Sequence, residues 1–278
     1  EIRDLVFEII RMSRRKPLRS PRLERKARRK RSRKIAALSL CALIVAGLAV
    51  YGLSRPELRL RSVEVVGADR VSAEVVNARV QDALSRTILG FIPSSHVLFY
   101  PKTELTASLL KEFPALSNVA FSLQGFSSLR VFLHEREPRA LWCAGTECLL
   151  LDEMGLAFAP AEESAERLYY QLSGEGTAVL PGTEVISRER LSELLLFLRK
   201  LENAGFTVER VLLKEQGELD VALRGGTRLL LREGQYERSL VNLKTLLAAD
   251  GLSLTKDGSL SASYIDLRYG NKIYFKPQ

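Results

Sequence analysis

The sequence predicts an α+β protein with a single N-terminal transmembrane helix, a small domain of order β-α-α-β-β, and a mixed α/β domain with a predominantly antiparallel sheet. Three observations carry this expectation. Charge is concentrated at one end: residues 1–34 hold 15 Lys/Arg against 4 Asp/Glu, while the remainder of this 278-residue, +9 chain is nearly neutral. Nineteen residues without a charge, 35–53, follow that block directly. Further on, short runs of alternating apolar and polar residues are interleaved with stretches of helical period. A composition that is 46% apolar and 27% charged excludes a disordered chain and suffices for two modest cores.

A nineteen-residue helix rises about 28 Å at ~1.5 Å per residue, close to the hydrocarbon thickness of a bilayer. Arg33 and Lys34 end a dense basic flank on one side, whereas Arg55 alone follows on the other. The positive-inside rule then places the N-terminus in the cytoplasm and the chain after Ser54 outside it. A cleaved signal peptide is the competing reading, but 34 preceding residues are far too many for its n-region. The expectation is a single-pass protein of the cell inner membrane, periplasmic in bulk. Ile2, Leu5, Val6, Ile9 and Ile10 fall at helical spacing. They read either as a short amphipathic helix or as a frayed tail held near anionic lipid by the basic run. A nucleic-acid-binding arm is the other use of such a run, yet no recognition fold adjoins it.

After the run, residues 58–66 alternate as a strand ending at Gly67, and Ser72 caps a helix whose apolar stripe is Val76, Val80, Ala83 and Leu84. Residues 103–113 form a second helix, stopped by Pro114. Residues 117–123 and 128–135 are strands joined by a turn at Gln124-Gly125-Phe126-Ser127. Beyond them lie a hairpin over 139–151, a turn at residues 152–155 and a short strand at 156–158. Ser187 caps a helix that buries Leu191, Leu194, Leu195, Leu198 and Leu201 and ends at Gly205. A meander of hairpins from Val208, a helix over 235–249 and two closing strands at 263–269 and 272–275 complete the chain.

Several local motifs point one way when taken in order. They are Arg61-Ser62-Val63-Glu64-Val65-Val66-Gly67, Phe113-Pro114-Ala115-Leu116-Ser117-Asn118-Val119, Glu135-Arg136-Glu137-Pro138-Arg139-Ala140-Leu141-Trp142, Leu151-Asp152-Glu153-Met154-Gly155-Leu156-Ala157-Phe158 and Tyr264-Ile265-Asp266-Leu267-Arg268-Tyr269. The set resembles the FtsQ/DivIB family of bacterial cell-division proteins over residues 55–276. The resemblance implies a cytoplasmic tail (1–34), a transmembrane helix (35–53), a POTRA domain (58–135) and a β domain (136–278). It further implies a non-catalytic divisome scaffold at the septum, binding FtsB/FtsL-like coiled-coil partners and in addition FtsK-like and FtsW/FtsI-like proteins. Such a scaffold links early and late division components to septal wall synthesis.

The family's partner surface maps onto Arg268, Tyr269 and Asn271, although Gly270-Asn271-Lys272 departs from the acidic turn expected there. In the last strand, Ile273 and Phe275 fall on one face and Lys272, Tyr274 and Lys276 on the other. An edge strand leaves main-chain donors and acceptors free for an extended partner, so Ile273, Tyr274 and Phe275 join the candidate site. Tyr269 reads as the hot spot of this surface, with ordinary sheet packing as the alternative. The rival functions are a POTRA-bearing transport or secretion component and, further off, a wall-modifying hydrolase.

Other chemistry finds little support. Cys143 and Cys148 bracket a predicted turn, and in an oxidising compartment they can form a cross-strand disulfide, against which stand strand geometry and the short loop. Two cysteines and a histidine at this spacing do not make a zinc site, and His134 lacks the companions of a Cys/His hydrolase. His96, in a Ser-rich loop, reads as solvated. Glu162-Glu163 reads as solvated charge. Gly225-Gly226 precedes a strand and not a helix, so it is no phosphate loop. Neither a cofactor, a metal nor a small-molecule substrate is expected.

Overall fold

The computed structural model describes residues 21–53, 56–88, 92–176, 178–249, 252, 254–255, 258–270 and 272–277. The expected segment over residues 1–11 lies outside them. The chain divides into two compact units, Glu1–Arg59 and Leu60–Gln278.

The first unit contains helix α1, Pro21–Leu53, 33 residues long. Here the expected architecture is corrected. The uncharged run 35–53 is not a helix of its own but the continuation of a helix whose residues 21–34 include nine Lys/Arg. Among the described residues no helix is long and apolar enough to cross a membrane. The single-pass transmembrane assignment and the placement in the inner membrane, with a cytoplasmic N-terminus and periplasmic bulk, are overturned with it. The description as a transmembrane helix plus POTRA domain also gives way: the structure is a mixed α/β fold dominated by one ten-stranded sheet.

In the second unit, β1 (Ser62–Val66) leads to α2 (Ala73–Ser85), where Ser72 Oγ accepts from the Val75 N–H at 3.4 Å as an N-cap. Val76, Val80 and Leu84 are buried at helical spacing. A two-residue ladder pairs β2 (Thr87–Ile88) with β3 (Ile92–Pro93), too short to leave a period in the sequence. Helix α3 (Lys102–Glu112) buries Leu105 and Leu109 and ends ahead of Pro114. Then come β4 (Leu116–Gln124) and β5 (Ser128–Glu135). The sheet order is β1-β5-β4, with β1 parallel to β5 and β4 antiparallel to it. Between β3 and α3, His96 is fully buried, contrary to its solvated reading. Its Nδ1 accepts from the Leu98 N–H at 3.3 Å, and its ring lies 5.5 Å from that of Phe99.

The larger sheet comprises β6 (Ala140–Ala144), β7 (Glu147–Leu151), β8 (Leu156–Pro160), β9 (Gln171–Gly174), β10 (Thr183–Glu184), β11 (Val208–Leu213), β12 (Glu218–Leu223), β13 (Arg228–Arg232), β14 (Ala262–Tyr269) and β15 (Lys272–Pro277). Its order is β10-β8-β7-β6-β9-β11-β12-β13-β14-β15. The pairings β6–β9, β9–β11 and β13–β14 are parallel and the others antiparallel. Helices α4 (Arg188–Asn203) and α5 (Tyr236–Ala248) supply the facing layer. Leu191, Leu194, Phe197, Leu198 and Leu201 of α4 pack with Val211, Val221, Leu229 and Ile265 of the strands. Each such side chain contributes about 1.5–3 kcal/mol of transfer free energy.

A junction ties the smaller sheet to the larger within this unit. Ala115 packs with Leu141, Cys143, Leu150, Phe158 and Ala165 in a second core. Arg136 donates from Nη1 to Asp152 Oδ2 at 2.5 Å and from Nε to the Pro114 carbonyl at 3.0 Å. Asp152, buried, in turn accepts the N–H groups of Met154 and Leu156, each at 2.9 Å. Glu135 Oε1 accepts the N–H groups of Asp69, Arg70 and Val71 at 2.8–3.0 Å. Burial pushes the Glu135 carboxyl up, but these three donors and the Arg70 charge outweigh it, leaving it below the ordinary carboxylate range.

Candidate partner-binding edge

Strand β15 ends the ten-stranded sheet, and among the described residues no strand pairs with its outer side. It meets β14 with Ile265 opposite Phe275, Asp266 opposite Tyr274 and Tyr269 opposite Lys272, so β14 carries an extra residue between the last two pairs. Such a bulge bends the ladder and turns local side chains outward. Ile265 and Leu267 point into the helical core, which by alternation sends Tyr264, Asp266 and Arg268 to the opposite face.

On that face Arg268 makes a fork. Its Nε donates to Asp266 Oδ1 at 2.9 Å, Nη2 to Asp266 Oδ2 at 2.6 Å and Nη1 to Glu218 Oε2 at 2.7 Å. Burial pushes the Asp266 carboxyl up, but the hydrogen bonds and charge of Arg268 outweigh it and hold it below the usual range. Neighbouring pairs extend the charged face: Arg228 with Asp220, Lys214 with Asp220 at 3.7 Å, and Arg232 with Glu218 at 3.6 Å. A shallow recess of about 260 Å³ lies among Lys214, Glu218, Arg228, Tyr264 and Arg268.

The exposed surface beside this network is aromatic. Tyr269 is 56% exposed and Tyr274 51%, and their rings meet edge to face with centroids 5.6 Å apart. The Arg268 guanidinium carbon lies 5.5 Å from the Tyr269 centroid, and Phe275 is 37% exposed. Ile273 is half-buried against the core, while Lys272 and Lys276 are exposed. The structure thus brings Arg268, Tyr269, Ile273, Tyr274 and Phe275 together along one margin. Asn271 lies outside the described residues.

No protein-family model matches the sequence, and no curated protein matches it.

Arg268 commits three of its five N–H donors within the fold and stays partly exposed, while Tyr269 and Tyr274 are the most exposed of the candidate aromatic groups. Sequence reasoning missed Glu218, 50 residues away, and Asn242 of α5, whose Nδ2 donates to the Gly270 carbonyl at 2.6 Å and pins the β14–β15 turn. The Asp266-x-Arg268 spacing on a strand was a usable signal for the fork; nothing local marked Glu218 or Asn242. Elsewhere, Cys143 and Cys148 sit opposite each other in the β6–β7 hairpin and are joined by a disulfide, Cα to Cα 4.0 Å. Glu163 is exposed in a 3-10 turn, and His134 is exposed on β5.

Proposed function

We propose that this chain is a non-catalytic cell-division scaffold of the FtsQ/DivIB kind, which captures an FtsB/FtsL-like coiled-coil partner along β15 and so links early and late division components to septal wall synthesis. The observation that carries the reading is the open β15 margin flanked by the exposed Tyr269–Tyr274 pair. Main-chain groups of an open edge accept an added strand, and tyrosines supply large contact area with little entropy to lose. Lys272 and Lys276 discourage pairing with a second β15 and favour a partner strand bearing acidic residues. The test is capture of an FtsB/FtsL-like pair by the full chain, repeated with Tyr269→Ala plus Tyr274→Ala and with Lys272→Glu plus Lys276→Glu. Loss of two hot-spot tyrosines costs about 2 kcal/mol or more, roughly 30-fold in affinity. Undiminished capture by both double variants would refute the reading.

A further inference from the structure

Apart from the two-residue ladder β2–β3, the margin strands among the described residues are β1 and β4 in the smaller sheet and β10 and β15 in the larger. Margins are ordinarily guarded against other chains by shortness, charge, proline or bulges. β10 has two residues, and β15 carries Lys272, Lys276 and Pro277. β1 is five residues long and holds Glu64, which is paired with Arg130. β4 differs from all three. Over nine residues, Leu-Ser-Asn-Val-Ala-Phe-Ser-Leu-Gln, it has no charge and no proline, and its one register irregularity lies at its start, between Leu116 and Asn118. Among the described residues nothing pairs with its outer side.

We propose that β4 is a self-association edge, which a second copy of this chain extends with its own β4, antiparallel about a twofold axis at Ala120. Charge argues for this occupant. A charged partner strand would find no counter-charge on β4, whereas a second β4 is itself uncharged along its whole length, with Leu123 and Gln124 as its larger exposed groups. Val119 and Phe121 are committed to the core, so the seam is set by Asn118, Ala120 and Ser122. All nine residues overlap only when the axis passes the midpoint, residue 120; Asn118 then faces Ser122 of the second copy and Ala120 faces its own equivalent. The arrangement is isologous and closes at two copies, giving the continuous sheet β1-β5-β4-β4-β5-β1 with no tendency to extend further. It uses a different strand from the proposed β15 site and stands or falls independently of it.

The test uses the full chain with Cys41→Ser, which leaves only the bridged Cys143 and Cys148. Ala120→Cys is added, and disulfide-linked dimer is followed under copper-phenanthroline oxidation. Gln124→Cys is the control, because its equivalent across the axis lies eight residues along the strand, roughly 27 Å at ~3.4 Å per residue. Ala120→Cys is expected to link at least tenfold faster than Gln124→Cys. Adding Asn118→Lys and Ser122→Lys, which set like charges across the seam, is expected to slow that linking at least tenfold, with the circular dichroism spectrum unchanged as a check on folding. Equal rates at 120 and 124, or linking indifferent to the lysines, would overturn the proposal. If Ala120→Cys misfolds, sedimentation of the Cys41→Ser protein with and without the two lysines decides: a dimer lost on their addition supports the seam, and an unchanged distribution overturns it.

Discussion

Replacing Arg268 by alanine removes what is, among the described residues, the only cation bonded to Asp266, whose side chain is 9% exposed, and one of two paired with Glu218. Stripping the partner from a buried ion pair costs about 3–5 kcal/mol. Arg268 keeps 23% of its side-chain exposure, so water relieves part of the stranded charge and about 2–3 kcal/mol is the expected loss. In a unit of this size each kcal/mol moves Tm by ~2–4 °C, which places the Arg268→Ala melt roughly 4–12 °C below that of the parent. Asp266→Asn in the same chain removes the charge left unpaired and should recover at least half of the loss, the signature of coupling in a double-mutant cycle. Arg268→Lys keeps a charge but not the fork, and should fall between parent and alanine variant. The measurement is thermal unfolding by circular dichroism at neutral pH. A fall of less than about 1 °C in Arg268→Ala, or no recovery in the double variant, would show that the fork does not hold this margin in place.

The Asp266 carboxyl lies below its unfolded value, so its stabilisation is present above the unfolded pKa and is lost as pH falls through the folded one. The stability gap between the parent and Asp266→Asn should accordingly close below about pH 4, and a gap that persists into acid would contradict it. Glu135 has the same sign; Glu135→Ala should cost about 2 kcal/mol at neutral pH and speed hydrogen exchange at Asp69, Arg70 and Val71, while unaltered exchange there would exclude the three main-chain bonds. Gly155 has φ of 76°, and a Cβ there would fall 1.8 Å from the Ile186 carbonyl oxygen. Gly155→Ala must therefore shift backbone, and a loss of more than about 2 kcal/mol in chemical denaturation is expected. Joint replacement of Cys143 and Cys148 by serine should lower stability by about 2 kcal/mol, the loop-closure contribution of so short a ring, and leave the far-ultraviolet spectrum unchanged because β6 and β7 are also paired with β9 and β8.

Helices were the most legible part of the chain. Ser72 and Ser187 cap where the pattern places them, Pro114 follows the end of α3, and the apolar stripes of α2 and α4 are the faces that are buried, except that in α4 Phe197 is buried and Leu195 only partly so. These are short-range effects, decided within one or two turns by side chains that meet the backbone locally. The hairpins at Cys143/Cys148 and across β4–β5 were legible for the same reason. The uncharged run 35–53 is legible as an apolar stretch, but its helix starts at Pro21 and includes the nine Lys/Arg of residues 21–34, which no window confined to the run contains.

By itself, the sequence determined the principal turns, the inward face of most helices and strands though not Phe197 or the exposure of Phe275, and that Tyr269 and Tyr274 stand on the two closing strands. Only the tertiary structure decided that β9 lies between β6 and β11, that His96 is buried, and that Arg268 is held by Glu218 and Asp266. The physical reason is distance along the chain. Periodicity chooses the face that a residue presents, but the neighbour it meets there depends on which strands pair across tens of residues, a choice made by packing of the whole core and recorded in no local stretch of sequence.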